Sequence, residues 1–193
     1  MHSHRYWAAS LAAALVCSVT LVVVAAEKET REVAVKDIKL TVPKAWKQEE
    51  PSNKLRVAQF KIAAAEGDKE SAELVINQFG GGGGGVDENV KRWINQFSPK
   101  DRKVKVTKGK GSQGEYVLVD ATGIYNKPDG PPFAQKTIPV AGQRMLAMML
   151  MAGENGSYFL KLTGPEKTVS GTTDDLRKAI GAKADDEKEQ KYE

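Results

Sequence analysis

The chain has 193 residues, 28% of them charged, with 29 Lys and Arg against 25 Asp and Glu for a formal net charge of +4. That length suits one domain with a single sizeable core, and so mild a charge bears on solubility more than on choice of partner. The only cysteine, Cys17, and the only histidines, His2 and His4, sit close to the amino terminus; if that segment is removed, Ser-His-Asp and Cys-His triads, ordinary zinc and haem sites and internal disulfides are excluded.

The opening MHSHRYW is weakly basic through Arg5, and the chain then runs uncharged from Tyr6 to Ala26. This is the layout of a secretory signal peptide over residues 1–26, with Val24-Ala25-Ala26 as an A-x-A-like cleavage site. The expected location is extracytoplasmic, either periplasmic or secreted. Two alternatives stay open. The same run is long enough to remain as a membrane anchor, since about 20 apolar residues span a bilayer. Cys17 suggests a lipoprotein, although Val16 stands where a small residue is wanted.

Residues 27–32 read as a charged, flexible leader. Val33 and Val35, then Ile38, Leu40 and Val42, alternate around a Lys36-Asp37 turn and predict a small hairpin that Pro43 ends. Trp46 is expected to pack over the end of the sheet. Leu55–Ala63 and Glu73–Phe79 read as consecutive strands joined through Gly67-Asp68. Ala58, Phe60 and Ile62 share one face of the first strand, and Leu74 and Ile76 oppose Val75 and Phe79 on the second. Apolar residues on both faces imply a sheet covered at least partly on two sides.

Residues 80–85 are six glycines that run into an amphipathic helix. Val86, Val90, Trp93, Ile94 and Phe97 form one stripe, and Glu88, Lys91, Arg92 and Asn95 take the other sides. Asp87 is the expected N-cap, and Ser98-Pro99 the stop. A P-loop would need GxxxxGK[ST], and here Asp87 and Glu88 occupy the place a phosphate would take. The glycines therefore read as a flexible strand-to-helix linker.

Lys103–Thr107 alternates basic and apolar residues, and Gly114–Tyr125 is the longest strand candidate. Residues 126–143, with four prolines and two glycines, read as a long irregular loop. Arg144–Ala152 is almost wholly apolar and belongs at the centre of a sheet. Glu154-Asn155-Gly156 signals a hairpin to Ser157–Thr163, which Gly164-Pro165 closes. Asp174–Ile180 predicts a short final helix, and residues 182–193 a charged, disordered tail.

Strands, helix, strands and helix, with antiparallel hairpins dominant, indicate a single α+β domain over residues 33–181. Val42-Pro43-x-x-Trp46, Arg56-x-Ala58-Gln59-Phe60, the helix segment Asn89-Val90-x-Arg92-Trp93-x-x-Gln96 and Tyr158-Phe159-x-Lys161-x-Thr163-Gly164-Pro165 carry a resemblance to the PsbP-like superfamily, which includes the Mog-type proteins. The chain resembles its uncharacterised exported bacterial members over most of residues 33–180. The resemblance implies an antiparallel β-sheet flanked by helices on both faces, an α/β/α sandwich, and binding or assembly roles rather than catalysis. It carries over no binding residue and no cofactor.

Without His or Cys, Ser-Lys or paired-carboxylate catalysis remains open. Asp120, an acid on an apolar strand, is read as a structural acceptor for Arg144 or Arg92, with general-base work as the alternative. Met145, Met149 and Met151 fall on one strand face and Met148 on the other, which favours core packing over a metal site. Lys100, Arg102, Lys103, Lys105, Lys108 and Lys110 cluster, either as an anion-attracting patch or as a lysine-protected edge with Val104 and Val106 inward. No aromatics interleave with them, so no nucleic acid is expected. Asn89, Arg92 and Gln96 form a polar strip beside Trp93, the candidate partner-binding residues, with tethering of the 126–143 loop as the structural alternative. The expected function is an exported, non-enzymatic binding or assembly module for an unknown protein or small ligand. It contacts a membrane only if residues 6–26 are retained. A hydrolase-type enzyme with its site near Asp120 and the 126–143 loop, or a membrane-tethered accessory protein, is the alternative.

Overall fold

Period-two alternation of apolar residues sets most of this backbone. The computed structural model describes residues 28–79, 83–130, 136–152 and 156–192; the expected signal peptide, three of the linker glycines and most of the Glu154-Asn155-Gly156 turn lie outside them. The strands are β1 (Thr30–Val35), β2 (Ile38–Pro43), β3 (Lys47–Glu49), β4 (Arg56–Ile62), β5 (Ala72–Phe79), β6 (Lys103–Gly111), β7 (Gly114–Pro128), β8 (Thr137–Met151), β9 (Ser157–Pro165) and β10 (Lys188–Gln190). The helices are α1 (Val86–Ile94), α2 (Glu166–Ser170) and α3 (Thr173–Ala179). Eight strands form one sheet in the order β10-β6-β7-β8-β9-β5-β4-β3, antiparallel throughout, and β1-β2 is a separate hairpin.

The two faces of the sheet have separate cores. On one, Phe60, Leu74, Leu118, Leu146, Met148, Leu160 and Leu162 pack with Leu40 and Val42 of the β1-β2 hairpin and with Val169, Leu176 and Ile180 around α2 and α3. Trp46 is buried there against Phe60, with ring centroids 6.4 Å apart, as its place after Pro43 led us to expect. On the other face, Val117, Val119, Met145, Met149 and Phe159 pack beneath Val90 and Trp93 of α1 and beneath Phe97. A helix of nine residues is about 13 Å long, against roughly 50 Å for a fifteen-residue strand such as β8, so α1 shields only part of its face.

Four local expectations are corrected. Asp87 is not the N-cap; Gly85 is, in extended conformation without a side-chain cap, and Asp87 sits within the first turn. Residues 126–143 are not one irregular loop, because β7 continues to Pro128 and β8 begins at Thr137. The arm tolerates Pro139 because β8 is paired with β9 only from Gln143 onward, leaving Pro139 on an edge, while Gly142 at φ 67° takes up the register shift opposite Gly123 and Tyr125. The leader is shorter than residues 27–32, since Thr30–Glu32 already pair with Thr41–Pro43.

The 182–193 tail is likewise ordered through β10, which pairs with Val106–Lys108. Its anchor is Glu187, whose carboxylate accepts from Arg177 (2.7 and 3.0 Å), Tyr116 (2.8 Å) and Thr107 (2.9 Å). An ion-pair anchor leaves no apolar periodicity to read in the sequence.

Candidate functional site

Lys161 lies near the middle of β9, opposite Val75 of β5 on one side and Ala147 of β8 on the other. A lysine in a strand paired on both sides has no edge to protect, so its position asks for another explanation. It shares the α1 face with Phe159, which is buried under Trp93 at 6.2 Å between ring centroids. Two residues further along β9, α1 has ended.

The segment after α1 supplies the roof. Ser98 N–H donates to Ile124 O at 2.9 Å and Asn126 N–H to Gln96 O at 2.8 Å, and Phe97 bridges to Tyr125 with ring centroids 5.2 Å apart. These bonds place Gln96 and Tyr125 together over Lys161. The ammonium donates to Gln96 Oε1 at 2.6 Å and to the Tyr125 hydroxyl at 2.9 Å, and stands 5.2 Å from the Tyr125 ring centroid.

Lys161 and Tyr125 open onto a groove of about 480 Å³, lined also by Arg56, Glu73, Lys127 and Gln143. Both contacts to the ammonium come from neutral oxygens. Glu73, the carboxylate whose charge acts on Lys161, is bound by Arg56 at 3.0 Å, and Arg56 also donates to Gln59 at 2.8 Å. Burial therefore pushes the Lys161 ammonium down to about 8, helped by repulsion from Arg92 and Arg56 and opposed by Glu73. Burial, then Glu73, pushes the Tyr125 phenol up to about 12, so it keeps its proton at neutral pH. At pH 7 the groove floor thus carries a half-buried cation on neutral supports.

The four candidate partner-binding residues divide between two roles. Asn89 is buried; its amide donates to Gly83 O at 3.1 Å and Gly85 O at 2.8 Å, and its oxygen accepts from Arg92. Trp93 is buried in the core beneath α1. Asn89 and Trp93 therefore hold the helix and its glycine entry in place. Gln96 reaches the groove through its bond to Lys161, and exposed Arg92 acts on the same ammonium by charge. For the loop-tethering alternative, the backbone carbonyl of Gln96 accepts from Asn126, while the side chains of the strip bond elsewhere, Arg92 to Asn89 and Gln96 to Lys161.

Asp120 is paired with Arg144 through both oxygens, at 2.9 Å from Nε and 2.6 Å from Nη2, and Arg144 continues to Ser170 of α2 at 2.7 Å. It occupies the sheet face opposite Lys161, where it ties β7, β8 and α2 together. The methionines divide between the faces as their spacing predicts, Met145 and Met149 under α1 and Met148 opposite. Within the basic cluster, Arg102 donates to Ile94 O and Phe97 O at 3.1 and 3.3 Å, closing the end of α1. Val106 is buried, but Val104 is 38% exposed, because β10 covers β6 only over Val106–Lys108.

Sequence reasoning missed Lys161 as a site residue. The available signal was its own location, a lysine interrupting SYFLKLT between two apolar neighbours. Tyr125 carried no such signal, because its place over Lys161 depends on the stitch between Gln96 and Asn126.

No protein-family model matches the chain, and no curated protein does. Among solved structures it is similar to the solution structure of cyanobacterial PsbP (CyanoP) from Synechocystis sp. PCC 6803. The identity is 11%, over 79% of this chain and 86% of that one, with a TM-score of 0.43. The likeness is one of fold alone.

Proposed function

We propose that the protein is an exported, non-enzymatic binding module that takes its ligand in the groove floored by Lys161. The observation that carries this reading is the cation itself. A half-buried ammonium held by Gln96 and Tyr125, with Arg56 and Arg92 adding to its charge, is costly for a fold to keep. Ligand-binding sites are where such costs are tolerated, and a concave site with a few convergent polar groups is the form they take. The α/β/α sandwich reading belongs to the same proposal: α1 on one face and α2 and α3 on the other fix the sheet and leave this end of it open.

The hydrolase alternative loses its motivation, since Asp120 is occupied by Arg144 and faces away from the groove. Export rests on the signal-peptide layout of residues 1–26. Mass spectrometry of the protein recovered outside the cytoplasm tests it, cleavage after Ala26 being the expected result. For binding, amide NMR spectra of the chain screened with a small-molecule fragment set should give hits that converge on Tyr125, Gln143 and Lys161. Hits scattered over other surfaces, or turnover of any fragment, would overturn the proposal.

A further inference from the structure

We infer that the Lys161 groove binds a carboxylate, held between the Lys161 ammonium and the Tyr125 hydroxyl. The inference rests on the binding-module reading and names the ligand chemistry of that same site. An ammonium has three N–H donors, of which Gln96 and Tyr125 take two. Tyr125 accepts from Lys161, so its own O–H remains to be donated, and among the described residues no acceptor takes it. Two donors 2.9 Å apart, both lining one open groove, match the two oxygens of a single carboxylate.

The charges around the site agree. From β4 comes Arg56, from β5 Glu73, from the β7 arm Lys127, from α1 Arg92 and from the segment before β5 Glu70. Glu73 is held by Arg56, so among the described residues Lys161, like the more exposed Lys127, is a groove cation without an ion-paired carboxylate, and it is the one beside the Tyr125 hydroxyl. An incoming carboxylate supplies that partner and replaces the repulsion from Arg56 and Arg92 with attraction. It also meets the phenol as a donor, a role Tyr125 keeps because burial and Glu73 hold its proton in place.

The test is an NMR titration of the 15N-labelled full-length chain with sodium acetate against sodium chloride at equal ionic strength. Acetamide, the neutral isostere, and inorganic phosphate serve as parallel probes. Acetate should give saturable shifts at Tyr125, Gln143 and Lys161 in the millimolar range, and acetamide should not. Lys161→Met, with its fold checked by circular dichroism, should weaken acetate at least tenfold, and Tyr125→Phe about threefold. Affinity should fall about tenfold from pH 7 to pH 9 as the ammonium loses its proton.

Acetamide and acetate binding equally well in the groove would leave the binding module standing and remove the carboxylate assignment. Phosphate binding more tightly than acetate would remove it as well. No saturable shift in the groove with acetate, together with fragment hits elsewhere, would overturn both readings. Wild-type affinity for acetate in Lys161→Met would refute the role of the ammonium.

Discussion

Replacing Lys161 with methionine should stabilise the protein. Lowering an ammonium from its ordinary 10.5 to about 8 costs the folded chain about 3 kcal/mol at pH 7, at roughly 1.4 kcal/mol for each factor of ten. Methionine fills much of the volume of the lysine stem without the charge, so the net gain at pH 7 is about 1–3 kcal/mol. The sign with pH follows from linkage. Between about pH 8 and 10.5 the unfolded chain binds a proton at Lys161 that the folded chain has already released, so wild-type stability rises with pH across that window. Below pH 8 both states are protonated and the full cost is present; above 10.5 neither is, and the cost is gone. Urea denaturation of both proteins at pH 7 and pH 10.5 reads this directly, because other titrating groups cancel in the difference. A difference between wild type and Lys161→Met that does not change with pH would refute the reasoning. So would a variant that loses more than about 1 kcal/mol at pH 7, since the lost packing would then outweigh the relieved charge.

Glu187→Gln should cost about 3 kcal/mol, because it breaks an ion pair with Arg177 whose side chains are 5% and 12% exposed. Hydrogen exchange at Lys188–Gln190 should accelerate with it. Burial raises the Glu187 carboxyl, but bonds from Arg177, Tyr116 and Thr107 outweigh it and hold the group below its ordinary value. Its contribution is therefore present above the usual carboxylate range and is lost as pH falls through the folded value, a loss that acid titration should not show in Glu187→Gln. Asp120→Asn should cost about 1–3 kcal/mol in denaturation while leaving acetate binding intact. A loss of groove binding there would return Asp120 to the site. Gly164→Ala should destabilise by about 1–3 kcal/mol in a thermal melt, because its Cβ would stand 2.6 Å from Ala72 Cβ and 2.7 Å from Ala72 Cα, and backbone cannot swing aside.

Much of this architecture was legible in local pattern. Alternation at Ile38, Leu40 and Val42 and at Ala58, Phe60 and Ile62 reads as strands because a pleated backbone turns successive side chains to opposite faces, and the nearly unbroken apolar run Arg144–Ala152 reads as a strand covered on both faces. The stripe of Val90, Trp93 and Phe97 reads as a buried helix face for the corresponding reason at period 3.6. These regularities are properties of short stretches of chain, so residue order is sufficient to see them. The β7-β8 arm and β10 were hidden, since an edge position excuses Pro139 and a carboxylate anchors the tail in place of apolar residues.

The candidate site lies mostly on the hidden side, Gln96 being the one groove contact legible in the sequence. Asn89 is a polar-strip residue by spacing, yet depth in the fold turns it into a clasp for the glycine linker, while Trp93 beside the strip is core, as its place in the apolar stripe predicts. Lys161 acquires its chemistry from a sheet register that sets it between Val75 and Ala147, from a helix too short to cover it, and from Gln96 and Tyr125 brought over it by two backbone bonds. Residue order alone specifies which stretches become strand, helix and core, because those depend on neighbours along the chain. The environment of one ammonium depends on groups from four separate elements, and their convergence exists only once the sheet has closed around it.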